Sequence, residues 1–258
     1  MTFRAGWILC LGLALGAQAV PDRQIKSVIP VTEAYPDDPV LAKLIDPVKA
    51  KILATFGQVI GHAPEGLFKM SGQQVGPLGY WIADAMRARA EQLTGTPIKF
   101  ALTNSGGIRS NLRPGPVKVG DIYEIMPFEN ELVVAELTGA EVLEVVKEGI
   151  KYRGGEPLSG ILVRTGGSPE APELVITWSD GSAIDPNQVV KFATSDYLIA
   201  SSISLRNAKH AFTTGVSLRQ VLLDLTVATE AQGKPILPPA GGRFEVAPEH
   251  LKSLRIKK

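Results

Sequence analysis

Residues 131–146, ELVVAELTGAEVLEVV, constrain the fold more than any other stretch, because a strand is joined to a helix with no loop between them. ELVVAELTG reads as a strand, with the apolar run Leu132 to Ala135 between Glu131 and Glu136. Thr138-Gly139-Ala140-Glu141 then spells a capping box, whose Thr hydroxyl and Glu carboxylate satisfy free amides and open a helix over 139–150. Ser217 and Gln220 predict a second capping box, opening a helix over 218–230.

Other elements interleave with these. Leu41, Leu44, Ile45, Val48, Ile52, Leu53 and Phe56 recur at spacings of three and four, predicting a long amphipathic helix over 39–56 that ends at Gly57 and can bend at Pro47. GQVIGHA reads as a short strand, and a helix from Pro77 to Leu93 has Pro in its first turn and Gly95 past its end. PIKFALT is a buried strand, NLRPGPVKVGD reads as loop and turn, and GILVRT, ELVITW and QVVKFAT are three further strands. Helices and hairpin-like strands are intermixed, so the fold class is α+β with mixed sheets rather than a doubly wound parallel sheet. The 258 residues, 45% hydrophobic and 21% charged, suffice for a full core.

The first nineteen residues, MTFRAGWILCLGLALGAQA, have the layout of a secretory signal: one Arg, an apolar run from Trp7 to Leu15, then Ala17-Gln18-Ala19. The run is too short for a stable membrane anchor. Cleavage after Ala19 is expected, followed by an extended arm over 20–38, a connector helix over 39–57, the main domain over 58–247 and a basic tail over 248–258. Lipoprotein processing at Cys10 is the rival reading, disfavoured by the bulky Trp7-Ile8-Leu9 before it. Cys10 is the single cysteine, so the exported chain carries no disulfide, thiolate ligand or Cys nucleophile. Localisation is therefore periplasmic or extracellular, with no membrane association once the signal is gone. A formal charge of +1 supplies no global field for nucleic acid, and an anion must be recognised locally.

Residues 99–109, KFALTNSGGIR, pass from an apolar strand into Asn104-Ser105-Gly106-Gly107 and Arg109. A carboxamide that donates and accepts, backbone without side chains, and a planar cationic fork together suit a nucleotide or sugar phosphate. An isolated Asn-x-Gly-Gly is equally a tight turn, since both residues tolerate positive φ.

The context carries more. IADAMR (82–87), ALTNSGGIR (101–109), VGDIYEIMPFEN (119–130), ELTGAEVLEVV (136–146), SG (159–160) and TGVSLRQVLLDL (214–225) follow one another in order. This series resembles the C-terminal, substrate-recognition domain of the secreted 5′-nucleotidases and UDP-sugar hydrolases over residues 37–246. The resemblance implies that Asn104, Gly106, Gly107 and Arg109 bind polar and anionic groups of a nucleotide or nucleoside, and that Phe128 and Tyr197 stack its base. It also implies that hydrolysis belongs to an N-terminal domain holding two metal ions.

Two departures stand out. Where the family has Gly-Gly-Asp-Gly, with an Asp for the ribose hydroxyls, this chain has Ser201-Ser202-Ile203-Ser204. A ligand-binding Arg expected before IADAMR has only Lys69 as a substitute. No metal-binding spacing joins His62, His210 and His250, each read as a surface or loop residue, and no cofactor is expected in this chain. About twenty residues between the signal and the long helix leave no room for a metallophosphatase domain. Ser105 lacks a base partner and a nucleophile elbow, while Asp121/Glu124 and Glu170/Glu173 read as turn residues rather than acid–base pairs. The expected function is nucleotide recognition linked to nucleotide catabolism, without hydrolysis by this chain alone. The alternatives are a subunit completed by a separate metallophosphatase chain docked on the connector helix, and a degenerate domain kept for protein contacts.

Overall fold

The computed structural model describes residues 34–71 and 74–254 together with Pro30 and Thr32, so the signal stretch and most of the arm lie outside the described residues. Residues 1–46 and 47–258 are two compact units. In the first, the Asp38 carboxylate accepts from the amides of Val40 and Leu41 at 2.8 and 3.2 Å and so opens helix α1 (Pro39–Phe56), where Leu41, Leu44 and Ile45 are exposed. In the second, the rest of α1 exposes Val48, Ile52 and Leu53, and its last residue, Phe56, packs on Tyr123 with ring centroids 4.6 Å apart.

The second unit continues through β1 (Val59–Ala63), β2 (Met70–Ser71), β3 (Gln74–Val75), α2 (Pro77–Thr94), β4 (Phe100–Leu102), β5 (Gly115–Lys118), α3 (Val119–Ile125), β6 (Glu131–Thr138) and α4 (Gly139–Arg153). It then forms β7 (Leu158–Ser159), β8 (Ile161–Gly167), β9 (Pro172–Trp178), β10 (Val189–Ser195), α5 (Asp196–Ser201), β11 (Lys209–Ser217), α6 (Leu218–Ala231), β12 (Phe244–Glu245) and α7 (Pro248–Leu254). The main sheet has the order β11-β6-β10-β4-β7 and is mixed: β10 runs antiparallel to β6 and parallel to β4. A second sheet has the order β12-β8-β9, and the pairs β1-β5 and β2-β3 complete the set. The fold is thus mixed, with helices packed on mixed sheets.

Side chains that alternate in direction along these strands divide the core in two. Ala101, Leu132, Val134 and Ala193 pack with residues of α2, α3 and α6, while their neighbours Phe100, Leu102, Ala135, Leu137 and Phe192 pack with α4, β8 and Trp178. Phe100 and Phe192, paired across β4 and β10, stack at 5.0 Å. The Thr138 box forms in full: Thr138 accepts from the Glu141 amide and Glu141 accepts from the Thr138 amide.

Four sequence readings change. NLRPGPVKVGD is not only loop: it supplies β5, paired antiparallel with β1, and the start of α3, where Asp121 accepts from the Lys118 amide at 2.7 Å. Pro116 masks this strand in the sequence, yet a two-stranded ribbon leaves half its amides without ladder bonds and tolerates proline. The Ser217 box forms by half, because Gln220 turns its side chain to Asp224 rather than back to the Ser217 amide. Strand β11 went unread, being a largely exposed edge strand with an irregular register. Residues 248–254, read as part of a basic tail, form α7, and His250 is buried there rather than lying on the surface.

Candidate functional site

Buried β4 delivers the chain into Asn104, and residues 105–107 turn back as a short 3₁₀ segment closed by the Gly107 amide on the Asn104 carbonyl at 3.1 Å. Asn104 is 5% exposed, and its carboxamide makes no hydrogen bond among the described residues. Gly106 and Gly107 are not in the left-handed region; they are bare because space is short. A Cβ on Gly106 would lie 3.0 Å from Arg153 Nη1 and 3.3 Å from Asn104 Nδ2, and one on Gly107 would lie 3.2 Å from Asn104 Oδ1.

Two further segments face this loop. The connection from α3 to β6 carries Phe128 and Asn130, and Arg219 on α6 holds it by donating to the carbonyls of Met126 and Pro127 and to the Glu129 carboxylate. The Arg219 guanidinium also lies 4.2 Å from the centre of the Tyr123 ring. Helix α5, capped by Ser195, carries Tyr197, and the Asp196 carboxylate accepts from the Glu131 amide at 3.2 Å, tying α5 to the start of β6. Asn104, Gly106, Gly107, Phe128, Asn130, Arg153 and Tyr197 line one cleft of about 220 Å³. Phe128 and Tyr197 are each about half exposed within it.

Five of the six residues singled out in the sequence therefore share a cleft. The sixth, Arg109, is not among its lining residues; its Nη1 donates to the Gly106 carbonyl at 3.1 Å and braces the loop. Lys69 donates to the Ile108 carbonyl at 2.7 Å, and burial together with the nearby Arg109 charge lowers its pKa, Glu156 opposing them.

Arg153 and Glu156 escaped the sequence reading. Helix α4 ends at Arg153, and Gly154 and Gly155, with φ of 80° and 121°, turn the chain so that Glu156 packs back against Gly149. Glu156 is 8% exposed; it accepts from the Ser105 amide at 2.6 Å and forms an ion pair with Arg153, whose Nε lies 3.0 Å from Oε1. One carboxylate thereby fixes both the Asn-Ser-Gly-Gly loop and the guanidinium. Burial pushes its pKa up, against the hydrogen bonds from Ser105 and the charges of Arg153 and Lys69. The only signal in the sequence was Arg-Gly-Gly-Glu itself, which reads as a helix C-cap.

In the divergent stretch 201–204, Ser201 and Ser202 line an adjoining hollow that shares Arg153 with this cleft. Ile203 is 62% exposed and is not among the residues lining this cleft. Its turn is held from α4 by Glu148, which accepts from Ser202 Oγ and from the amides of Ile203 and Ser204.

No group of three or more His, Cys, Asp or Glu among the described residues is placed to hold a metal ion. His62, His210 and His250 lie on β1, β11 and α7, and His210 pairs with Glu136 alone at 2.7 Å, so this donor set does not fit a two-metal centre. Likewise, no helix among the described residues is long and apolar enough to cross a membrane.

Residues 59–204 match the model of the family described as 5′-nucleotidase, C-terminal domain. The chain is 32% identical over 132 residues to the trifunctional nucleotide phosphoesterase protein YfkN of Bacillus subtilis, covering 50% of this chain and 9% of that protein. It is 31% identical over 150 residues to the endonuclease YhcR of the same organism, covering 56% of this chain and 12% of that one. Among solved structures, the 5′-nucleotidase precursor from Thermus thermophilus superimposes with a TM-score of 0.67 at 24% identity, over 84% of this chain and 45% of that chain. The chain thus spans about a tenth of those two curated relatives and under half of the superimposed chain.

Proposed function

The chain belongs to the family of 5′-nucleotidase C-terminal domains, and from that membership we propose that it is an exported module that recognises a nucleotide or nucleoside and does not hydrolyse it alone. The carrying observation is the cleft in which two half-exposed aromatic rings, Phe128 and Tyr197, accompany the carboxamide of Asn104, which has no protein partner among the described residues. Both carboxamide atoms keep some access to the open cleft, and a ligand's ring edge would take up their unused donor and acceptor capacity. Stacking on an aromatic side chain contributes about 1–3 kcal/mol per base. Arg109 acts here by bracing the Gly106 carbonyl, which leaves Asn104, Gly106, Gly107, Phe128 and Tyr197 as the ligand-contacting residues. Export rests on the layout of residues 1–19.

The test is calorimetric titration of the purified chain with adenosine, AMP and UDP-glucose, beside Asn104→Ala and Phe128→Ala, with phosphate release followed in Mn²⁺. Binding that weakens in both variants, with no phosphate released, is the expected result. Phosphate released by the chain alone would refute the reading, as would ligand binding indifferent to both substitutions.

A second reading is favoured by α1, where Val48, Ile52 and Leu53 are 57%, 46% and 62% exposed. Apolar residues at helical spacing left in solvent suit a partner surface, and a separately encoded metallophosphatase chain seated there would complete a nucleotidase. Co-elution with such a chain, abolished by Leu53→Glu, is the expected outcome; a chain eluting alone in its presence would exclude it.

A further inference from the structure

We propose that Arg153 reads the base edge and makes the cleft select an oxopurine, of the guanine or hypoxanthine type, over adenine; this rests on the nucleotide-recognition reading above. Arg153 is the one charged residue among those lining the cleft. Glu156 pairs with Arg153 by charge, its Oε1 lying 3.0 Å from Nε, and none of the guanidinium nitrogens makes a hydrogen bond among the described residues. The side chain is 46% exposed, whereas its partner Glu156 is buried. The ion pair thus holds the guanidinium at the cleft and leaves its two terminal groups free for a ligand.

Where those groups lie is set by Gly106. The position its Cβ would occupy is 3.0 Å from Arg153 Nη1 and 3.3 Å from Asn104 Nδ2, so two donors from different elements border one bare stretch of backbone. No carboxylate lines the cleft to compete for them.

The chemistry then discriminates. A guanidinium only donates, and its fork matches two adjacent acceptors; the O6 and N7 of an oxopurine present that pair. Adenine has an amino group in place of O6, which sets donor against donor. Asn104 cannot make the choice, because a carboxamide flips to serve either edge.

The test is calorimetric titration of the purified chain with GMP, IMP and AMP at one ionic strength. These share ribose and phosphate, so the ratio of affinities isolates the base, and IMP isolates the O6/N7 edge from the 2-amino group. GMP and IMP are expected to bind about 5- to 150-fold more tightly than AMP, the range a bidentate contact confers. Arg153→Lys, which keeps the charge without the fork, and Arg153→Met should each bring that ratio to within about twofold. A ratio taken within one protein is insensitive to a common loss of folded material. Equal or tighter AMP binding by the wild-type chain overturns this inference, as does a preference that survives both substitutions. No binding of any of the three by the wild-type chain overturns the recognition reading as well, which separates the two failures.

Discussion

Replacing Arg219 with Met tests whether the aromatic wall of the cleft is fastened from below. Arg219 is 6% exposed; it donates to the Met126 and Pro127 carbonyls at 3.4 and 3.3 Å, lies over Tyr123 at 4.2 Å and pairs with Glu129. The two carbonyl bonds are long, so each contributes about 1 kcal/mol. The cation–π contact adds about 0.5–1 kcal/mol. Glu129 is 78% exposed, and solvent screening limits that pair to about 0–1 kcal/mol. Methionine keeps the apolar stem, so the expected loss is about 3 kcal/mol, or roughly 6–12 °C in Tm for a chain of this size. Urea unfolding followed by tryptophan fluorescence measures the first, and a thermal melt the second. Because residues 126–129 carry Phe128, nucleotide affinity should also fall about fivefold, the equivalent of reordering one residue on binding. A loss of stability below about 1 kcal/mol would refute the energetic sum, since these contacts exceed that together. A full loss of stability with unchanged affinity would refute the link from Arg219 to the Phe128 wall.

Burial raises the Glu148 pKa, but the bonds from Ser204, Ile203 and Ser202 outweigh it and hold the carboxyl below its ordinary value. Its stabilisation is therefore present above the ordinary carboxylate pKa and lost as pH falls through the depressed one, and Glu148→Gln should flatten the acid limb of stability against pH. Glu156 has the opposite sign: burial raises its folded pKa, so the folded state takes up a proton and stability falls as pH rises from the ordinary value through the raised one. Glu156→Gln should remove that slope in pH-dependent melts while weakening oxopurine affinity, because Arg153 loses its ionic anchor. A Cβ on Gly139 would lie 2.1 Å from the Asp185 carbonyl oxygen, so Gly139→Ala should cost about 3 kcal/mol in urea unfolding; a neutral result would show that the 184–186 segment gives way.

The sequence by itself determined the elements whose causes are local. The Thr138–Glu141 box, Pro77 and Gly95 mark helix ends because capping is settled within a few residues. The strands read in ELVVAELTG and QVVKFAT survive, and their side chains divide between the two faces of the main sheet because the strand period is a property of the backbone. The apolar spacing of α1 was legible too, and so was the loop carrying Asn104. Tertiary structure decided the rest. It paired Pro-rich β5 with β1 and recruited exposed β11 to the sheet edge, since each takes its amide partners from residues far along the chain. It moved Arg109 out of the cleft and brought Arg153 in. That exchange could not be read, because Arg153 sits beside Gly106 and pairs with Glu156 only through packing, and Glu156 meets the Ser105 amide across 51 residues. Spacing in a sequence reports neighbours on one helix or strand. A buried carboxylate tying two loops together is a property of how those elements pack.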